Sequence, residues 1–261
     1  MHCFAFDIET VPDTDFGRQI WELDESLSDE DVGNAMMFRQ QQKTGSEFLP
    51  LHQHRVVAIS VALRSGDSFR VWTLGDRDAD EAEIVRRFFD GIERYSPELV
   101  SWNGSGFDLP VLHYRALKHG IQAPRYWENG DNDRDFRYNN YLSRFHWRHL
   151  DLMDVMAGFQ PRGRAGLDQI ATMLGFPGKL GMSGDKVWET WLAGGIDGIR
   201  NYCETDVLNT YLVYLRFEFM RGNLDAETLA SELDLVRRSL AEHGEAHLKE
   251  FLAAWPDGNS E

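Results

Sequence analysis

HCFAFDI, residues 2–8, followed by Glu9 and Thr10, is apolar throughout its middle except at Asp7. A short, nearly continuous apolar run of this kind reads as a β-strand buried on both faces. Side chains alternate across a strand, so Cys3, Ala5, Asp7 and Glu9 share one face and Phe4, Phe6 and Ile8 the other. The first face is small and then acidic; the second is bulky. Two carboxylates at the end of a buried strand repel each other and cost desolvation energy, and a bound cation offsets both penalties. The plainer alternative is that the pair caps the following turn with Thr10 and Asp13.

Outward from this strand, residues 55–64 (RVVAISVALR) and 68–74 (SFRVWTL) are β-rich, and Ser65-Gly66-Asp67 between them predicts a hairpin. Ile84, Phe88 and Ile92 recur every four residues, which predicts a helix over 79–95. Residues 98–102 predict a strand, 108–119 a helix closed by Gly120, 148–153 a strand and 165–174 a helix. Residues 197–221 predict a long helix with Ile199, Cys203, Val207, Tyr211, Tyr214 and Phe217 along one stripe, stopped at Gly222-Asn223. A last amphipathic helix carries Leu229, Leu233, Val236 and Leu240. Residues 13–50 read as a loop with one or two helical pieces, and 122–146 as irregular chain. The order predicts an α/β protein with a mixed sheet and helices on both faces.

The chain has 261 residues, 42% of them hydrophobic, and no Pro/Gly/Ser-rich linker, so one large domain is expected. Its two cysteines, Cys3 and Cys203, form no CxxC pattern, which argues against a zinc site or disulfide framework. The N-terminal residues lack a basic start and a long apolar run, so no signal peptide is read, and no stretch is long enough to span a bilayer. A cytoplasmic protein is the expectation. A net charge of −16 argues against a protein whose main task is non-specific binding to nucleic acid. It leaves room for local contact with a nucleic-acid end, because a carboxylate cluster becomes electropositive once it holds a metal.

Further acids stand at intervals along the chain. Asp108 lies in WNGSGFDLP at the mouth of a helix, where an N-cap is the simplest explanation. Tyr202 and Asp206 are four apart on a helix and therefore share a face, offset from the apolar stripe. Each alone is ordinary. Together they supply the oxygen ligands from separate elements that two divalent cations, about 4 Å apart, need to clamp a phosphodiester.

FDIET, WNGSGFD and YCETD resemble the DxE, NxxxFD and YxxxD motifs of the DnaQ-like 3′–5′ exonucleases. The tyrosine-type (DEDDy) branch is the nearest likeness, because Tyr202 fills the tyrosine position and Asn201 stands where the sister branch has histidine. Within that branch the chain resembles the exonuclease domain of B-family DNA polymerases as a stand-alone protein. The resemblance spans Asp7 to Asp206. It implies a ribonuclease H-like fold with a central mixed five-stranded sheet flanked by helices on both faces. It implies one exonuclease domain over 1–261, with a helical extension at 224–255. It implies two Mg²⁺ or Mn²⁺ ions, with Asp7 bridging them, Glu9 and Asp206 completing the nucleophile side and Asp108 holding the second ion. Tyr202 would orient the attacking water. The implied reaction hydrolyses nucleic acid from the 3′ end to 5′-mononucleotides, with single-stranded DNA the leading substrate. An exoribonuclease of the same superfamily is the alternative; a non-catalytic nucleic-acid-binding or polymerase-accessory module is another. An endonuclease or transposase of the ribonuclease H type is not expected to carry YxxxD.

For substrate contact, Asn103 is a candidate for the terminal nucleotide or backbone, and Phe107 for stacking on a terminal base, with a core role as its alternative. The stretch 134–149 interleaves Arg134, Arg137, Arg144 and Arg148 with Tyr138, Tyr141, Phe145 and Trp147, and has no acid after Asp135. Arg137 and Arg144 are its strand-binding candidates; packing against Asp131, Asp133 and Asp135 is the alternative. His146 and His149 form only a weak metal-ligand pair, and Asp151 and Asp154 fit capping as well as a site role. The expected partner is a single-stranded 3′ end, with a polymerase or helicase as a protein partner and no membrane.

Overall fold

The computed structural model describes residues 2–256. Its sheet consists of β1 (His2–Pro12), β2 (His54–Ser65), β3 (Ser68–Thr73), β4 (Glu98–Ser101) and β5 (His149–Asp151), in the order β3-β2-β1-β4-β5. β2 runs antiparallel to both β1 and β3, whereas β1, β4 and β5 run parallel. This is the mixed five-stranded α/β sheet that the resemblance implies, and it is consistent with a ribonuclease H-like fold. β1 is central, which explains its unbroken apolar run.

The helices are α1 (Thr14–Trp21), α2 (Asp29–Thr44), α3 (Glu81–Tyr95), α4 (Asp108–His119), α5 (Leu152–Met156), α6 (Leu167–Met173), α7 (Val187–Leu192), α8 (Ile196–Met220), α9 (Ala226–Glu242) and α10 (Ala246–Ala254). Phe4, Phe6 and Ile8 pack with Ile84, Phe88, Phe89 and Ile92 of α3 and Leu112 of α4. On the other face Cys3 and Ala5 are small, and the bulk comes from Tyr211, Tyr214 and Leu215 of α8. Large residues on one side of β1 and small ones on the other therefore bring α8 close to the strand.

The C-terminal helices join this second core through Val236, Leu240, Phe251 and Trp255. Their anchor is a buried ion pair in which Arg64 donates to both Glu232 oxygens, at 2.7 and 2.6 Å. The Ser239 hydroxyl adds a hydrogen bond to the Phe69 carbonyl at 3.0 Å.

Several boundaries differ from the sequence expectation. β1 continues past Ile8 to Pro12, with a register shift against β2 between Glu9 and Thr10. β5 is only three residues, not 148–153, because the Asp151 carboxylate accepts the Asp154 N–H at 3.2 Å and starts α5. Residues 13–50 hold α1 and α2, the latter begun by a capping box between Ser28 and Asp31. α7 and α10 were not expected as separate helices. The irregular 122–146 segment is a packing layer: Tyr126, Phe136 and Tyr141 are buried, with the Arg125 and Arg148 guanidiniums 4.2 and 3.8 Å from the Phe136 ring.

Two histidines lie beneath this layer. His113 contacts the Tyr126 hydroxyl at 2.9 Å, and the buried His149 contacts the Ser101 hydroxyl at 2.9 Å. Burial lowers both to about 4, with His113 contributing to the fall of His149. An unfolded histidine titrates near 6.5, so between pH 6.5 and 4 the unfolded chain takes up protons that the folded chain refuses. These groups therefore remove stability as pH falls through that window. His113→Gln should melt with a shallower dependence on pH than the native chain between pH 6.5 and 4, measured by circular dichroism.

Candidate active site

β1 carries Asp7 and Glu9 in the stretch past its pairing with β4, which matches only Cys3 to Ala5. The Ile8 N–H is instead taken by Asp108 Oδ1 at 3.2 Å, which ties the first residue of α4 to the strand. Asp108 is thus held by a backbone donor from another element, a connection that an N-cap reading does not contain.

The 103–107 loop aims Asp108. Asn103 adopts a left-handed φ of 68°, a conformation Asn tolerates. Its carbonyl accepts the N–H groups of Gly106 and Phe107 at 2.9 and 3.0 Å. The buried Asp151 carboxylate accepts the N–H groups of Asn103 and Ser105, both at 2.9 Å. A Cβ on Gly104 would collide with the Ser101 hydroxyl and one on Gly106 with Asn103 Oδ1, so close approach requires both glycines.

α8 approaches from the small-residue side of β1. Cys203 Sγ lies 3.4 Å from the Asp7 carbonyl oxygen and 3.5 Å from Asp7 Oδ2, as a donor to both. Ligand atoms of Asp7, Glu9 and Cys203 all fall within 4.8 Å of one another. Tyr202 and Asp206 come from the neighbouring stripe of the helix, and Tyr202 is buried. The structure therefore brings Asp7, Glu9, Asp108, Tyr202 and Asp206 to one end of the sheet.

The electrostatics are those of burial, with like-charge repulsion added. Among the described residues none of the four carboxylates forms an ion pair. Burial, followed by Glu9, Asp108 and Asp206, pushes the Asp7 carboxyl well above its ordinary range. Burial and then Asp206 and Asp108 do the same to Glu9. Burial, with Asp151 adding repulsion, raises Asp108 to about 7, and burial raises Asp206 to about 6. Burial and then Asp206, Glu9 and Asp7 hold the Tyr202 phenol protonated far above neutral pH. Burial and the Asp7 and Glu9 carboxylates likewise keep Cys203 as a thiol. A ring of hard oxygen donors around a protonated sulfur suits Mg²⁺ or Mn²⁺ better than a soft metal.

The other sequence candidates have the following places. Phe107 is partly buried, 5.6 Å from the Phe48 ring and 5.2 Å from the His54 ring. Asn103 Oδ1 is buried without a hydrogen-bond partner. Arg144 donates to the buried Asp154 carboxylate at 3.1 Å, and Arg164 reaches the same group at 3.4 Å. Arg137 is exposed, beside Tyr138 at 83% exposure. His146 accepts the Asn140 N–H at 3.0 Å, and with His149 bonded to Ser101 the two rings serve separate protein contacts.

Residues outside the sequence selection also shape the site. Gly178 and Asn209 exchange hydrogen bonds at 3.2 and 2.9 Å, about one turn beyond Asp206. They hold the following residue, Lys179, where its charge lowers both Glu9 and Asp206. The thiol under Asp7 was also missed, because Cys203 fits the apolar stripe equally well.

Residues 46–255 match the model of a family described as a predicted 3′–5′ exonuclease related to the exonuclease domain of PolB. The chain belongs to this family. Asp108, Tyr202 and Asp206 lie inside the matched range, and Asp7 and Glu9 precede it. Among curated relatives, the DNA polymerase epsilon catalytic chain of Schizosaccharomyces pombe is 22% identical over 148 residues, 54% of this chain and 6% of that protein. Its counterpart from Dictyostelium discoideum is 24% identical over 143 residues, again 54% and 6%. A DNA polymerase of Archaeoglobus fulgidus is 23% identical over 158 residues, 59% of this chain and 19% of the polymerase. The chain thus spans under a fifth of the length of these relatives. Among the described residues no helix is long and apolar enough to cross a membrane.

Without divalent metal, removing one charge from the cluster should stabilise the fold. Asp7→Asn should melt about 2–4 °C above the native chain in EDTA, the shift that roughly 1 kcal/mol gives at this size. Added Mn²⁺ should raise the native melting temperature more than that of the variant, as scanning calorimetry would record.

Proposed function

We propose that this protein removes nucleotides one at a time from the 3′ end of a single nucleic-acid strand, DNA being the leading substrate, with divalent-metal dependence. The observation that carries this reading is the convergence of four carboxylates from β1, α4 and α8, none of them, among the described residues, paired with a cation of the chain. Family membership supports the reaction class, and the tyrosine on the turn of helix before Asp206 supports the tyrosine-type branch.

Asp7, Glu9, Asp108 and Asp206 are the residues that would hold two Mg²⁺ or Mn²⁺ ions, with Asp7 shared. When bound, such cations polarise phosphoryl oxygens, make water more acidic and offset charge on the leaving oxygen. The chain's own groups do the positioning. Tyr202 keeps its proton, so its hydroxyl donates or accepts a hydrogen bond to orient the attacking water, and it does not act as the base. Phe107 supplies a ring face for the terminal base, worth about 1–3 kcal/mol by stacking. The water oxygen bonds to phosphorus, the bond from phosphorus to the 3′ oxygen breaks, and that oxygen takes a proton. The products are a 5′-nucleoside monophosphate and a strand one nucleotide shorter.

The test is incubation with single strands of DNA and of RNA, labelled at either end, in Mg²⁺, Mn²⁺ or EDTA. Mononucleotides should appear from the 3′ end only when metal is present. Asp7→Ala should lower the rate by roughly 10³-fold or more, and Tyr202→Phe should slow it about 10–10²-fold while leaving Mn²⁺ affinity near native, a range typical of positioned proton and water contacts. Failure of the native chain to release mononucleotides under any metal would refute the reading.

A further inference from the structure

The function proposed above, on which the following assignment rests, needs a path for the strand leading to the scissile bond. The segment 13–53 supplies one. Phe48, His54 and Phe107 form a ring cluster, with Phe48 5.3 Å from His54 and 5.6 Å from Phe107. This cluster adjoins the acids on two sides. Phe107 precedes Asp108, and the His54 ring is hydrogen-bonded at 2.8 Å to the hydroxyl of Thr10, the residue after Glu9. Phe48 nonetheless leaves 59% of its surface to solvent. An exposed aromatic ring standing against a second ring beside the catalytic acids gives bases a surface on which to stack.

A groove of about 590 Å³ opens nearby, between α1, α2 and residues 50–53. Trp21, Phe38, Arg39, Lys43, His52 and Gln53 are among its lining residues, and no carboxylate of the described residues lines it. In a chain of net charge −16 that is a marked local departure. Phe38 is 59% exposed. Arg39 lies 4.8 Å over the Trp21 ring, and among the described residues neither Arg39 nor Lys43 is paired with a carboxylate. The acids of α2, Asp29 to Asp31, sit at its other end, about 18 Å from Lys43 at 1.5 Å per residue. His52 and Gln53, which line the groove, directly precede His54 of the ring cluster. A second ring group, Phe16, His52 and Tyr114, at centroid distances of 5.9 Å, shares His52 with the groove.

We propose that this groove is the track for a single nucleic-acid strand upstream of the scissile bond, with Phe48 stacking a base next to the terminal nucleotide and Arg39 and Lys43 contacting phosphates. Aromatic rings interleaved with cations and lacking carboxylates are the surface that single strands of any sequence recognise. α1 and α2 lie before the range that matches the family model, so most of the track is built by the part of this chain outside that match. DNA and RNA strands share the chemistry of stacking and phosphate contact, and the experiment separates them.

The experiment uses the full chain and three oligonucleotides: thymidine and uridine homopolymers of about twelve nucleotides, and a thymidine dinucleotide too short to enter the groove. Binding of the longer strands is measured by fluorescence anisotropy in EDTA across a salt series, and hydrolysis of all three in Mn²⁺. Arg39→Gln with Lys43→Gln should weaken binding of the long strands about tenfold. It should flatten the salt dependence by about 1.4 in log–log slope, at roughly 0.7 per single-strand phosphate contact. Phe48→Ala should raise KM for the dinucleotide and the long strands alike, whereas the double variant should raise KM for the long strands alone, and Phe48→Tyr should restore KM. A larger effect on the thymidine or the uridine strand identifies the preferred sugar. Unchanged affinity and salt slope in the double variant would overturn the track. Should native protein hydrolyse none of the three yet lose long-strand affinity in the double variant, the exonuclease reading fails and the groove stands as a strand-binding surface.

Discussion

Four carboxylates gathered at one end of the sheet, with Glu9 and Asp108 buried and none of the four in an ion pair among the described residues, are the constraint around which this protein is arranged. Like charges removed from water raise one another's proton affinity, and here Asp108 and Asp206 are pushed up to about 7 and 6. Such a cluster lowers stability, so the surrounding structure must hold it in place. Three elements contribute. β1 extends beyond its parallel neighbour, leaving the Ile8 N–H for Asp108. α8 lies close because Cys3 and Ala5 are small, and its Cys203 reaches Asp7. The 103–107 loop is locked by the Asp151 carboxylate.

The same logic explains why the two faces of the sheet differ. The Phe4, Phe6 and Ile8 face carries an ordinary aromatic core with α3 and α4. The opposite face carries the site at one end and, toward the other, the core shared with α9 and α10. Arg64 and Glu232 clamp that far end, where each charge is satisfied by its partner. Paired charge occupies one end of the molecule, and unpaired charge is concentrated at the other.

Much of this was legible in the sequence for a physical reason. Alternation in HCFAFDIE fixes which residues share a face, and the spacing of Tyr202 and Asp206 places both on one side of a helix. Short-range rules carry both inferences. What escaped depends on distant residues meeting. Nothing local distinguishes Cys203 from a core cysteine until Asp7 is seen beside it. Asp151 reads as a helix cap, which it is, and also holds a loop 48 residues earlier in the chain. The arginine-rich 134–149 stretch attracted a binding role, yet Arg144 and Arg148 have structural work on Asp154 and Phe136. The groove, which no carboxylate of the described residues lines, arises instead from residues 20–53, whose cations are too sparse in sequence to signal a patch.

If the acid cluster exists to hold cations, the protein must bind them before any substrate arrives. The most direct measurement is Mn²⁺ stoichiometry by electron paramagnetic resonance on the full chain without nucleic acid. About two ions should bind per chain, as a paired-metal site requires, and that binding should be lost in Asp7→Asn. Native-like Mn²⁺ binding by Asp7→Asn would contradict a metal-holding role for the cluster.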